Sequence, residues 1–516
     1  MLCQMTKNSP HNIITTMDDV LLLLGLSFVL ACIHFLNKSL VATKFGPGNL
    51  PPGPRPFPVI GNILELGNKP HQALADLSKT YGPIMSLKLG SITTIVISSP
   101  HVAKEALHKH DQALSSRIIL EVARVQDHHK VSMVWLPVSA PWRNLRKVCA
   151  TQMFTAHKLD ATQALRQKKV QELLDYVHES CGSGSAVDIG QAVLTTVLNS
   201  ISNTFFSIDL ARYQFDDQSV NFNNLIHSVM EEAGTPNITD YFPVLQSVDP
   251  QGIRKRITTN IEKLFNIFDG IIDERIQARE KMMSKESKDL LDSLLNLAEE
   301  NSSQLSLTSI KHLLLDLFFA GTDTTSSTVE WSMAELLHNP EKLTKAQIEL
   351  RQVIGKDGLV QEFNIAKLPY LQAIMKETLR LHPPAPFLIP HKAETEVEMC
   401  SYVVPKAAQV LVNVWAMGRD SSVWKNPTSF MPERFLESEI DVKGRDFELI
   451  PFGAGRRICP GLPLVQRMVH LTLASLLYTF DWKLAHDLKP ENMDMTEKFG
   501  LILHKSEPLL AIPIKV

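Results

Sequence analysis

Cysteine is scarce in this chain. Six occur in 516 residues (Cys3, Cys32, Cys149, Cys181, Cys400 and Cys459), and no two are close enough for a CxxC pair. That spacing excludes a zinc ribbon and a thioredoxin-like redox site. So few thiols are no disulfide scaffold, which points to a reducing compartment for the bulk of the chain. An excess of either charge is missing as well: Lys plus Arg number 52 against 55 Asp plus Glu, for a formal net charge of -3. Broad nucleic-acid binding needs a basic surface and is not expected. With 44% hydrophobic residues and little net charge, disorder is not the main state. Gly 23 and Pro 30 are too few for a collagen-like or low-complexity chain. Length alone would suggest about three domains.

Long hydrophobic runs are rare too, and the one that stands out lies near the start. Val20 to Leu36 carries no formal charge, with Asp18 and Asp19 before it and Lys38, Lys44 and Arg55 after it. It is just long enough to cross a thin bilayer such as that of the endoplasmic reticulum, and the flanking charges put the remainder in the cytosol. A cleaved signal peptide is the alternative, weakened by the length of the run and by the lack of an A-x-A site. Residues 1–19 read as a polar extension, with Met17 a second possible start. Residues 37–58 read as a proline-rich linker, because Pro51, Pro52, Pro54, Pro56 and Pro58 stiffen the backbone into an extended strut. A ligand for an SH3-type domain is the other reading of that strut.

Residues 59–516 show no second linker and no fixed-period repeat, so one large domain is expected instead of three. Ile84 to Leu89 and Thr93 to Ile97 read as strands around Gly90-Ser91, and Val410 to Trp415 as a short strand or turn. Ile253 to Met283, Ser306 to His338, and Tyr370 to Leu381 behind Pro369 read as helices. The expected class is mainly α with a small β region.

The most informative stretch is Pro451-Phe452-Gly453-Ala454-Gly455-Arg456-Arg457-Ile458-Cys459-Pro460-Gly461. Its glycines allow left-handed dihedrals and close backbone approach. Pro460 and Pro463 suit a helix start, which sets Cys459 where free amides and the helix dipole favour a thiolate. A lone cysteine is more often a buried structural residue. A phosphate loop fails for want of the third glycine and of GK[ST]. In this setting the sulfur is a candidate soft-metal ligand, and a thiolate on haem iron gives the electron push that favours O–O cleavage.

Phe452 to Gly461 resembles the F-x-x-G-x-R-x-C-x-G signature of the cytochrome P-450 haem-thiolate monooxygenases. The resemblance implies Cys459 as axial ligand of haem b, with Phe452 beside it and Arg457 on a haem propionate. Trp142 and Arg146 are similar to the family's W-x-x-x-R element and would be further propionate donors. His391 stands where many relatives carry Arg, so a contact there would be weaker and pH-dependent. Glu377 and Arg380, three apart on one helix face, would by themselves be an ordinary surface pair. With Arg434 of Pro432-Glu433-Arg434-Phe435 they resemble the family's buried structural triad. Phe319-Ala320-Gly321-Thr322-Asp323-Thr324 is similar to the family's oxygen groove. It implies Ala320 and Gly321 against the haem, Thr324 holding a water and Asp323 relaying protons. Gly, Asp and clustered hydroxyls are poor helix formers, so two helices broken here are the plain alternative to one long central helix.

The implied fold sets haem between that central helix and the helix after Cys459. The implied partners are O2 and an NADPH–cytochrome P-450 reductase. The anchor, the strut and Ser132 to Ser139 resemble plant microsomal members, nearest the geraniol-hydroxylase group. Ile118, Phe318, Ala385, Phe387 and Leu501 are candidate walls of an apolar pocket, suited to a terpenoid such as a monoterpenol or a sesqui- or diterpenoid. Arg117, the one basic residue nearby, would meet a hydroxyl or carboxylate. Rival expectations are a phenolic or amino-acid-derived substrate, a reductase-independent haem isomerase or lyase, and a non-enzymatic haem sensor.

Overall fold

The computed structural model describes residues 25–29, 31, 49–213, 222–282, 288–300, 305–356 and 358–515. The polar extension, most of the expected anchor and residues 37–48 lie outside that set. Residues 25–29 and 31 are helical and exposed, and no helix among the described residues is long and apolar enough to cross a membrane.

Helices dominate, and one continuous apolar core joins most of them. Helix Ile189–Phe206 and the helix pair Leu307–Gly321 and Asp323–His338 run through this core, buried along most of their length. Burial on all sides makes such helices interior elements, not amphipathic covers, although Asp323–His338 buries hydroxyls and carboxyls as well as apolar side chains. Ile253–Met282, by contrast, sends Ile257, Ile261, Leu264, Phe268 and Ile272 inward at helical spacing and its charged residues outward.

The main sheet lies to one side and has a core of its own, built on Ile95, Ile97, Val410 and Val412. Ile84–Leu89 and Ile92–Ile97 pair antiparallel through a turn at Gly90, whose φ of 56° suits glycine. Gln409–Val412 joins Ile92–Ile97 in parallel, followed by His391–Lys392 and Ser116–Arg117, both antiparallel. Three smaller sheets make up the remaining β structure among the described residues.

The proline strut is docked. Ser86 N–H donates to the Pro52 carbonyl at 2.9 Å and Ser86 Oγ to that of Pro51 at 2.7 Å. A Cβ on Gly53 would lie 1.8 Å from the Ser86 carbonyl oxygen. Residues 51–54 therefore cover the outer edge of the first strand, an edge that would otherwise carry unpaired backbone groups.

Two sequence expectations need adjustment. The central helix is not continuous: Leu307–Gly321 and Asp323–His338 meet at Thr322, which ends the first with ψ -71°. Thr322, Thr324 and Thr325 each donate a hydroxyl to the carbonyl four residues back, at 2.7–2.8 Å. Such back-bonds compete with the helix ladder and bend it. The junction stays tight, since Ser326 N–H reaches the Thr322 carbonyl at 3.0 Å. The stretch Val410 to Trp415 also divides, into strand Gln409–Val412 and helix Val414–Met417, where the Asn413 side chain caps the helix.

Candidate active site

The cysteine loop is shaped by its backbone. Gly453 and Gly455 hold φ of 72° and 64°, and a Cβ on Gly455 would lie 2.3 Å from the Leu107 carbonyl oxygen. This tight course closes with Cys459 N–H on the Phe452 carbonyl at 2.9 Å. Helix Leu462–Thr479 starts three residues past the cysteine, with Pro463 in its first turn. Cys459 keeps part of its surface open, yet burial pushes its thiol up. The N–H groups of Gly461 and Leu462, together with Arg146, pull in the opposite direction. The sulfur is thus held by amide hydrogens in an enclosed site, a fitting ligand for a soft cationic centre.

Beside the loop is a cluster of like charge. Trp142 lies 4.7 Å from the Arg457 guanidinium and 5.7 Å from that of Arg146. Arg117 and His391 are directly paired across two strands. Burial and the neighbouring Arg457 lower Arg117 to about 9; burial and Arg146 lower Arg457 to about 10. Among the described residues no carboxylate forms an ion pair with Arg117, Arg146 or Arg457. Arg117 Nε is buried without a partner. Stacked cations with an orphaned donor are the surroundings that an anionic group would complete.

The donors expected for propionates are directed at carbonyls. Trp142 Nε1 donates to Met133 O at 3.1 Å and Arg146 Nη1 to Ile458 O at 2.9 Å. Arg457 donates to Ser115 O at 2.8 Å and Met133 O at 3.3 Å. His391 Nδ1 meets Leu114 O at 2.7 Å, and burial with Arg117 and Arg457 holds its pKa well below the usual imidazole range. It stays neutral at physiological pH. Arg117 donates to Ile389 O and belongs to this cluster.

At the helix junction Ala320 is exposed and Phe319, Gly321 and Thr324 are half-buried, although Phe318, Thr322, Asp323 and Thr325 are buried. That pattern marks an opening inside the molecule. Thr324 Oγ1 donates to Ala320 O at 2.7 Å, leaving its lone pairs to accept. Asp323 is buried with Oδ2 unpartnered, and burial pushes its carboxyl up to about 6, against the pull of His227. A carboxyl in that range can take up and release a proton near neutral pH.

Glu377, Arg380 and Arg434 form one buried group. Arg380 grips Glu377 through two bonds of 2.7 and 2.8 Å, while Arg434 Nε shares both carboxylate oxygens at 3.0 Å. Met431 N–H adds a bond of 2.7 Å, and Arg380 also reaches the carbonyls of Pro427 and Ser429. Helix Pro369–Leu381 is thereby tied to the irregular chain leading to the cysteine loop.

The sequence pattern of the cytochrome P-450 family matches residues 51–512. The chain belongs to that family. Curated cytochrome P-450 relatives are close over the full length. Cytochrome P-450 76T24 of Catharanthus roseus is 56% identical over 96% of this chain and 99% of its own. Geraniol 8-hydroxylase of Swertia mussotii is 52% identical over 96% and 99%. A solved zebrafish cytochrome P-450 with progesterone superposes with a TM-score of 0.73 at 26% identity, covering 86% of this chain and 99% of that one. The mainly helical fold is that of the cytochromes P-450, the cofactor is haem with a cysteine thiolate ligand, and the enzyme is an oxygen-incorporating oxidoreductase. O2, a redox partner and a hydrophobic substrate follow from the family. The residues fit the prosthetic group: an enclosed sulfur, an unpaired cluster of cations and an opening at the helix junction.

The expected pocket wall divides. Phe318 is fully buried among Phe205, Phe222 and Phe268, with ring centroids 5.1–5.7 Å away. It is a core residue and is withdrawn from the pocket. Two positions at 100° each separate it from Ala320, so the two occupy opposite faces of the helix. Ile118, Ala385 and Phe387 are half-buried and Leu501 is exposed; Phe387 rests edge-on to Phe499 at 5.9 Å.

Proposed function

We propose that this cytochrome P-450 is a membrane-anchored monooxygenase that inserts one oxygen atom from O2 into a C–H bond of a terpenoid, in plant specialised metabolism. The observation that carries the reading is Cys459, a sulfur held by helix-start amides beside an unpaired arginine cluster. Cys459 would bind the iron, while Arg117, Arg146, Arg457 and Trp142 would hold the carboxylate edge. Bound haem supplies the activation of O2 and the oxidation of the substrate. The chain's own part is proton supply and enclosure. Asp323 can take up and release a proton near neutral pH, and Thr324 Oγ1 offers lone pairs to a water at the opening. Glu377, Arg380 and Arg434 keep the cysteine loop in place for haem incorporation. Electrons would come from an NADPH–cytochrome P-450 reductase.

The terpenoid assignment is supported by the geraniol 8-hydroxylases of Swertia mussotii and Catharanthus roseus, each 52% identical to this chain, and by the apolar character of Ile118, Ala385, Phe387 and Leu501. Placement in the endoplasmic reticulum membrane, single-pass with residues 59–516 cytosolic, is supported by the uncharged run Val20 to Leu36 and its flanking charges. The test is a CO-difference spectrum followed by reductase-driven NADPH consumption and product mass spectrometry across terpenoids. A thiolate spectrum in the wild type that is absent from Cys459→Ala, with an oxygenated terpenoid formed, is expected. A normal spectrum without reductase-driven turnover on any terpenoid would overturn the assignment.

A further inference from the structure

A second buried polar cluster lies one helical turn before Ala320, outside the machinery described so far. Asp316 accepts three donors from the chain ahead of Trp142. Ser132 Oγ lies 2.7 and 2.9 Å from its two oxygens, Met133 N–H is at 2.8 Å, and His128 Nε2 is at 3.0 Å. The other ring nitrogen of His128, Nδ1, meets Nδ1 of His312 at 2.8 Å. All four side chains are nearly excluded from solvent, at 0–6% exposure.

The hydrogen positions follow from the acceptors. Asp316, ionised, only accepts, so His128 carries its hydrogen on Nε2. Between the two Nδ1 atoms one hydrogen is shared, given by His312 when His128 carries a hydrogen on Nε2 alone and by His128 when it carries both. A nitrogen–nitrogen contact of this length holds one hydrogen; two would collide. The closed contact therefore excludes the state in which both rings are fully protonated.

Its product is the placement of one residue's backbone. Met133 gives its N–H to Asp316, while its carbonyl receives both Trp142 Nε1 and Arg457 Nη1. Asp316 on helix Leu307–Gly321 therefore reaches the arginine cluster through the backbone of one residue, Met133, whose N–H and carbonyl lie on the two peptides flanking its Cα. The turn that delivers His128 is strained, with φ of 51° at Gln126 and 55° at Asp127. Non-glycine residues persist in that region where surrounding contacts hold them. Here the Asp316 and His312 bonds to His128 are such contacts.

We propose that Asp316 is a positioning residue for the haem edge, fixing Trp142 and Arg457 through the Met133 backbone, and that the His128–His312 contact makes this clamp sensitive to acid. The proposal rests on the haem reading of the site.

The groups facing His312 are few. Lys311 and Asp316 share its helix, with Lys311 paired to Asp269; His128 and Asp127 come from the strained turn; and the Phe265 ring stands edge-on at 4.9 Å. Cys149 lies beyond Asp316 with its thiol pushed up to about 12 and stays neutral. Burial, with His128 adding to it, pushes His312 from 6.5 down to about 4. The closed clamp thus excludes a proton that an opened one would bind. Its stability is complete above the ordinary imidazole pKa and falls as pH drops from about 6.5 towards about 4.

The experiment is haem transfer from purified holoenzyme to excess apomyoglobin, followed between about pH 7 and about pH 5, for wild type, Asp316→Asn and His312→Gln. Asp316→Asn should release haem about tenfold faster at neutral pH, the factor expected for weakening bonds to a charged acceptor. His312→Gln keeps an N–H for His128 without titrating, so its rate should accelerate less than that of wild type on acidification. A purely structural role for His312 would not change that ratio. Wild-type transfer rates in Asp316→Asn, or the wild-type acid response in His312→Gln, would overturn the proposal. If Asp316→Asn fails to fold, the His312→Gln ratio decides alone. Wild-type protein that binds no haem at all would sink the haem reading itself, and the clamp with it.

Discussion

Thr324 and Asp323 are neighbours with different surroundings, and the difference sets what each can do. Thr324 borders the opening and has its hydroxyl hydrogen committed to Ala320 O, so it can only accept from a water there. Thr324→Ala should leave the haem-thiolate spectrum intact while the ratio of product to NADPH consumed falls several-fold and peroxide rises. Unchanged coupling would move the relay elsewhere. Asp323 is buried, with a carboxyl pKa raised from 3.8 to about 6. The folded protein favours its protonated form, so the associated stability is full below the unfolded value and is lost as pH rises through about 6. Asp323→Asn removes that loss. Its thermal midpoint should exceed wild type at pH above about 7 and converge with it near pH 4, the gain being up to about 3 kcal/mol. Its turnover should slow, with a larger solvent isotope effect.

Among the elements, helix Pro369–Leu381 shows how a local signal becomes a long-range one. Its start was legible from Pro369, and the fold turns Leu371, Ile374, Thr378 and Leu381 inward. The role of Glu377 was legible only through company, because an i, i+3 pair looks the same whether exposed or buried. In the fold Glu377 is fully buried under two guanidiniums and an amide. Glu377→Gln should cost about 3–5 kcal/mol, since it strands two buried cations, and should show as low haem content with an early urea midpoint. The strands around Gly90 were equally legible, from alternation and a turn signal. The break at Thr322 was visible only as an alternative. Hydroxyl back-bonding bends a helix without stopping it, and composition does not separate those outcomes. Phe318 was misassigned because a helix apolar on all sides gives no hint of which face meets the cavity.

At the scale of the whole molecule, motifs of fixed local spacing were readable, and clusters assembled from distant segments were not. Cys459 announced itself through ten neighbours in sequence. Arg117, His391 and Arg457 meet only because a sheet and a loop converge, and no pattern along the chain encodes that. The same holds for His128, Asp316 and Met133. Removing residues 1–36 should move the protein from the membrane fraction to the soluble fraction while preserving the haem-thiolate spectrum. Persistence in the membrane after that deletion would place the attachment on the folded body.

The docked prolines also limit how the enzyme can be shortened for crystallisation or soluble production. Pro51 and Pro52 serve as a selvedge on the sheet at Ser86, beside Gly61 and Asn62, which finish the same border at Lys88 and Leu89. Trimming beyond them would leave Ile84–Leu89 with a raw hem, able to stitch itself to another molecule. A shortened enzyme should therefore begin ahead of Pro51.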